Sequence, residues 1–106
     1  MPIVHKSLCI EPLITPIAIE IYLWNWNISH IVCGGESGYG SNIRLCYEEW
    51  VERLYNQAQR NNIPFCFKQT GSYFIHKNGI LETVARQNQF NRAREIGYQD
   101  FDIDSL

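Results

Sequence analysis

Long apolar runs are missing from this chain. No stretch reaches the ~18 residues of a membrane-spanning helix, and Pro2, His5 and Lys6 precede no extended apolar segment of the kind a secretory signal carries. Positive charge is scarce too: nine Lys and Arg against eleven Asp and Glu leave a net charge of -2. That balance speaks against a sequence-independent grip on nucleic acid, which needs clustered basic side chains. Closely spaced cysteines are also absent. Cys9, Cys33, Cys46 and Cys66 lie 24, 13 and 20 residues apart, so no pair has the short loop of a zinc or iron–sulfur motif. Three of them sit in apolar runs, where a free thiol acts as a small hydrophobe. Reduced thiols and a cytoplasmic location are therefore expected. His5, His30 and His76 are scattered, with no spacing that puts two on one face, and no metal site is expected. Repeats and low-complexity stretches are lacking.

What is present is a globular composition, 45% hydrophobic and 19% charged over 106 residues. The length allows one domain, 1–106, with a core at 6–98 and an acidic tail at 99–106 that is expected to fray. A chain this short buries about two thirds of its unfolded surface. Three Trp, six Tyr and five Phe are a high aromatic load for so small a core. Trp24 and Trp26, in a segment that loses its period, are the candidates for an interface.

Three short apolar runs read as buried strands, at 7–11, 30–35 and 65–69, and each ends in polar groups. Leu8-Cys-Ile leads to Glu11, Ile31-Val-Cys leads to Gly34, Gly35, Glu36 and Ser37, and Phe65-Cys-Phe leads to Lys68 and Gln69. Between the second and third lies the clearest helix, about 46–61. Glu48 and Glu49 suit its positive end, Trp50, Leu54 and Ala58 repeat at helical spacing, and Val51 and Tyr55 widen that stripe. Asn61-Asn62 supply a stop. Residues 17–28 read as an irregular connection. Residues 72–84 read as a hairpin turning at Lys77-Asn78-Gly79, with Asn-Gly suited to a type I′ turn. A second helix is expected at 86–96, stopped by Gly97.

Strand, helix, strand over 30–69 is a β-α-β unit, which makes neighbouring parallel strands. The expected fold is α/β, a short parallel sheet of about three strands with a crossover helix, partial (β/α)-barrel-like, followed by a hairpin and helix. Ligands in such folds bind beyond the carboxyl ends of the strands. The candidate ligand-binding residues are therefore Glu11, Gly34, Gly35, Glu36, Ser37, Arg44, Lys68 and Gln69. Glu11 suits a ribose hydroxyl or an amino group, and Lys68 a carboxylate or phosphate. Each has an equally plain structural reading: Glu11 as the partner of Lys68, and Glu36 as the partner of Arg44, because charges near a core need partners. Ser37 lacks the Gly-x-Ser-x-Gly setting of a nucleophile, and the glycines lack the Gly-Lys-Ser/Thr ending of a phosphate loop. No catalytic residue is assigned.

Ile-Glu-Pro-Leu at 10–13, Cys-Gly-Gly-Glu-Ser-Gly at 33–38, Arg44, Glu49-Trp50 and Pro-Phe-Cys-Phe-Lys-Gln-Thr-Gly at 64–71 together resemble the phage gene-37/gene-68 protein family, a domain of unknown function. Ser72-Tyr-Phe-Ile-His-Lys-Asn-Gly79, with Arg86, Gln89, Ala93 and Gly97, extends the likeness over about 6–98. The resemblance implies a radical-SAM-like barrel whose N-terminal half carries the iron–sulfur cysteines. This chain has no such cysteine cluster and corresponds to the C-terminal half, inactive alone. No cofactor is implied for it by itself; S-adenosylmethionine is implied if it pairs with a cluster-bearing N-terminal half. The implied partners are that half or a second copy, and a nucleoside-like small molecule. The alternative is an interaction module or prophage remnant without activity.

Overall fold

The computed structural model describes residues 6–13, 28–38 and 42–103. The irregular connection expected at 17–28, with Trp24 and Trp26, lies outside them except for Ile28, as does His5. The three apolar runs become β1 (Lys6–Ile10), β2 (Ile28–Gly34) and β4 (Phe65–Gln69), a parallel sheet in the order β1-β2-β4. Ile31 lies opposite Leu8 and Phe65, and Cys33 opposite Ile10 and Phe67. Side chains alternate across a strand, so these residues share one face. That face packs on α1 (Glu48–Arg60) through Val51, Leu54 and Ala58, which closes the core. Trp50 packs against it only partly buried, with its ring 4.5 Å from that of Tyr47.

The helix stops where its sequence says. Asn62 takes a positive φ of 54°, while its N–H donates to Gln59 O at 3.1 Å and that of Ile63 donates to Ala58 O at 2.9 Å. These two bonds form a Schellman motif, with asparagine in the place usually held by glycine.

A second sheet was not expected. Cys46 and Tyr47, assigned by periodicity to the helix, instead form β3 (Cys46–Tyr47), which pairs in parallel with β5 (Tyr73–Ile75). β5 in turn pairs antiparallel with β6 (Leu81–Thr83). The hairpin is as expected, but its turn is not type I′. Gly79 has φ +87°, Asn78 has no positive φ, and Gly79 N–H donates to His76 O at 2.8 Å. This three-residue loop needs one left-handed residue rather than two. The helix expected at 86–96 begins as a 3-10 turn (Arg86–Asn88) before α2 (Gln89–Ile96).

The tail is a further correction. Up to Ile103 it is docked rather than frayed. Phe67 N–H donates to Tyr98 O at 3.1 Å and Asp100 N–H to Phe65 O at 2.8 Å, and Gln99 bridges antiparallel to Cys66. The reason is that β4 would otherwise leave a row of backbone groups unpaired at the sheet edge. Tyr98 fixes the segment from the other side, donating its hydroxyl to Glu48 Oε2 at 2.8 Å and Glu52 Oε2 at 3.2 Å. Burial, then the Glu48 carboxylate, pushes that phenol well above its ordinary pKa.

All four cysteines are free thiols. Cys9 is exposed; Cys33, Cys46 and Cys66 are buried. Burial raises the Cys33 and Cys66 pKa values and takes Cys46 up to about 12, so all three stay protonated and inert at neutral pH. A thiol reagent is expected to titrate one cysteine in the native protein and four in urea. Reaction of two or more without denaturant would contradict this packing.

The hairpin is pinned by charge. Arg92 Nε donates to Glu82 Oε1 and Oε2 at 3.0 and 2.9 Å, and His76 Nε2 lies 2.6 Å from Glu82 Oε1. Hydrogen bonds from Arg92, then His76, hold the Glu82 carboxyl below the usual carboxylate range. A depressed carboxyl stabilises the fold above its unfolded pKa, and the effect is lost as pH falls through the native value. Glu82→Gln should therefore flatten the acid side of stability against pH. Urea midpoints between about pH 6 and pH 3 check this, and an unchanged acid limb would count against it.

Candidate functional site

β1, β2 and β4 end at one rim, and the chain closes it with backbone. Leu13 N–H donates to Gly34 O at 2.7 Å, Gly35 N–H to Gln69 O at 3.1 Å, and Ser72 N–H to Glu36 O at 2.9 Å. The segments after β2 and β4 thus run against each other. Only glycine permits that approach at Gly35, where a Cβ would lie 2.4 Å from Thr70 O. Gly71 sits at φ +75°, with its missing Cβ pointing at the backbone of Gly35 and Glu36.

The buried Gln69 amide organises this rim. Its Nε2 donates to Glu11 Oε1 at 2.7 Å and Gly35 O at 2.6 Å, and its Oε1 accepts from Gly71 N–H at 2.8 Å. Both amide hydrogens are used, so its orientation is fixed. Lys68, one residue earlier and on the opposite face, reaches Glu11 Oε2 with Nζ at 3.2 Å. The pair is partly open to solvent, 30% for Lys68 and 26% for Glu11. Lys68 Nζ also lies 5.7 Å from the ring centre of Phe90, within cation–π range.

Glu36 belongs to a second pair. Arg44 donates to its Oε2 through Nε at 3.0 Å and Nη2 at 2.8 Å, with Arg44 largely exposed. Glu11, Gly34, Gly35, Lys68 and Gln69 are thus gathered in one bonded cluster, while Glu36 and Arg44 form a neighbour joined to it through the Gly35–Glu36 backbone. Ser37 stands apart from both. Its Oγ is buried and has no hydrogen-bond partner among the described residues.

Sequence reasoning did not anticipate Thr70, Gly71 and Ser72 as parts of this rim. Gly71, directly after the polar strand end, was the available signal for a close backbone approach. Thr70 and Ser72 offered none, because their roles depend on the loop across from them. Among the described residues no group of three or more His, Cys, Asp and Glu is placed to hold a metal ion, and none of the helices is long and apolar enough to cross a membrane.

Chemically, the Glu11–Lys68 pair offers one acceptor and one donor side by side, backed by a rigid amide. A family model described as a protein of unknown function (DUF5131) matches residues 1–102. No curated protein and no solved structure matches the chain.

Proposed function

The chain belongs to this family of proteins of unknown function, and from that premise we propose that it is the ligand-binding half of a larger, partial-barrel, radical-SAM-like protein. It binds and orients a small molecule with a zwitterionic amino-acid head group and does no chemistry alone. The observation that carries this reading is the half-open Glu11–Lys68 pair at the strand ends. An α-ammonium group takes the place of Lys68 at Glu11, and an α-carboxylate takes the place of Glu11 at Lys68. The ligand thereby supplies both charges with partners at little desolvation cost. Gln69 holds Glu11 in place during the exchange through its 2.7 Å bond.

S-adenosylmethionine carries such a head group and is the probe of choice. Its reductive cleavage to a radical would need an electron from an iron–sulfur cluster. The described cysteines do not fit one, since Cys33, Cys46 and Cys66 are core thiols. Any cluster would come from a partner half of the phage gene-37/gene-68 type.

Calorimetric titration tests the reading. S-adenosylmethionine is expected to give saturable heat, and 5′-methylthioadenosine, which lacks the head group, to bind at least about tenfold more weakly. Glu11→Gln and Lys68→Met should each abolish the heat while changing stability by no more than about 1 kcal/mol, as expected for a solvent-screened pair. A folded protein that gives no heat would sink the proposal.

A second reading, an interaction module without activity, is favoured by the exposed apolar side chains Ile80, Leu81 and Phe90. Sedimentation velocity separates the two. A self-associating protein that Ile80→Ser and Leu81→Ser return to monomer, with no ligand heat, would support the second.

A further inference from the structure

We infer that Ser7 is a reactive serine, activated by His30, that accepts an acyl group from an activated ester. The pair lies near the starts of β1 and β2. Ser7 and Glu11 are separated by about 13 Å of strand at roughly 3.3 Å per residue. The inference therefore rests on different residues from the Glu11–Lys68 pair and stands independently of it.

The nucleophile and the base touch. Ser7 Oγ lies 2.5 Å from His30 Nε2, and the two residues are opposite each other in the parallel pairing of β1 with β2. An even register would not bring them together. Lys6 lies opposite Ile28 and Ser7 opposite His30, so Ser29 is an extra residue on β2. A bulge of this kind re-aims the side chains beside it. Here it sets an imidazole, rather than the hydroxyl of Ser29, across from Ser7.

The surroundings leave the hydroxyl open and seat the ring. Leu8 and Ile31, the next residues along each strand, pack on the α1 side of the sheet. Ser7 and His30 consequently stand on the other side. Ser7 is exposed and His30 half-buried, so a reagent can reach the hydroxyl from solvent. Phe101 meets the imidazole edge-on, with ring centroids 5.7 Å apart and planes at 78°. Phe101 is itself held by the docked tail, whose Asp100 N–H donates to Phe65 O at 2.8 Å.

A serine hydroxyl is a weak nucleophile until a neighbouring base takes its proton. With the imidazole proton on Nδ1, Nε2 accepts the hydrogen bond from Ser7. Oγ attacks the ester carbonyl carbon, and the new Oγ–C bond forms as the hydroxyl proton passes to Nε2. The bond from that carbon to the leaving oxygen then breaks, and the oxygen departs with the electron pair and takes the proton from His30. The products are an O-acyl serine and an alcohol. An activated ester is the fitting donor because its leaving group departs readily, which leaves the protein to supply only the nucleophile and the base.

Acetylation of the full chain by p-nitrophenyl acetate, followed by peptide mass mapping, tests the site. A Cys9→Ala background removes the exposed thiol, which would compete for the reagent. The acetyl group is expected on Ser7, and Ser7→Ala should remove it from that peptide. His30→Gln still accepts a hydrogen bond from Ser7 but takes no proton, so it should slow acetylation of Ser7 at least about tenfold. A purely structural histidine would be replaced without that loss of rate. Urea should also suppress the labelling, because the cross-strand pair exists only in the folded sheet. This comparison needs no variant at Ser7 or His30 and holds even if His30→Gln folds poorly. Acetyl groups on lysines with none on Ser7, or Ser7 labelled as fast in His30→Gln or in urea, would reduce the pair to a cross-strand hydrogen bond and overturn the inference.

Discussion

Gly35→Ala is expected to unfold the protein or to cost on the order of 3 kcal/mol or more, a large share of the stability of a small domain. The new methyl group would lie 2.4 Å from Thr70 O, 2.8 Å from Thr70 C and 2.9 Å from Gly71 Cα. All three are backbone atoms, so no side chain can rotate out of the way. Nor can the strands separate cheaply, because Gly35 N–H is bonded to Gln69 O and Ser72 N–H to Glu36 O. The contact is reciprocal: a methyl group at Gly71 would meet Glu36 N at 2.8 Å, at a φ of +75° that L side chains rarely adopt. Urea unfolding followed by far-UV circular dichroism measures the effect. A midpoint within error of wild type would mean that the two loops do not interlock as described.

Gln69→Leu is expected to be nearly as damaging for a different reason. Leucine fills similar space but leaves Gly71 N–H, Gly35 O and one oxygen of Glu11 without the partners they have now. Gly35 and Gly71 are buried, and each stranded buried group costs about 1–3 kcal/mol, so a total near 3 kcal/mol is expected. Gln69→Glu sharpens the test. It keeps the acceptor for Gly71 but sets a second carboxylate against Glu11. That variant should be weakest at neutral pH and regain stability as acid neutralises the carboxyl pair. If Gln69→Leu matches wild type in urea midpoint, the amide is not the brace of the rim.

The parallel sheet and its crossover helix were legible because local and global signals agree there. Apolar runs such as Ile31-Val-Cys33 and Phe65-Cys-Phe67 are buried on register, and the stripe on α1 faces them. The meeting of polar groups at the strand ends was legible for the same reason, since Glu11, Lys68 and Gln69 directly follow those runs and are bonded to one another. Other features left no local trace. β3 has two residues, too few to show a period against the helix that follows. The docked segment at Tyr98–Asp100 is polar and acidic, and only the open edge of β4 gives it a place. The Asn-Gly turn was found in the right place with the wrong dihedral angles, because loop length, rather than dipeptide identity, decided the type.

The antiparallel docking of Tyr98–Asp100 also gives the parallel sheet a polarity of growth. The outer side of β4 is already taken up by Tyr98 O and Asp100 N–H. β1, at the other end of the strand order, has β2 as its only neighbour among the described residues. Among the described residues, the remaining edge of this sheet is therefore that of β1, the strand that runs directly into Glu11.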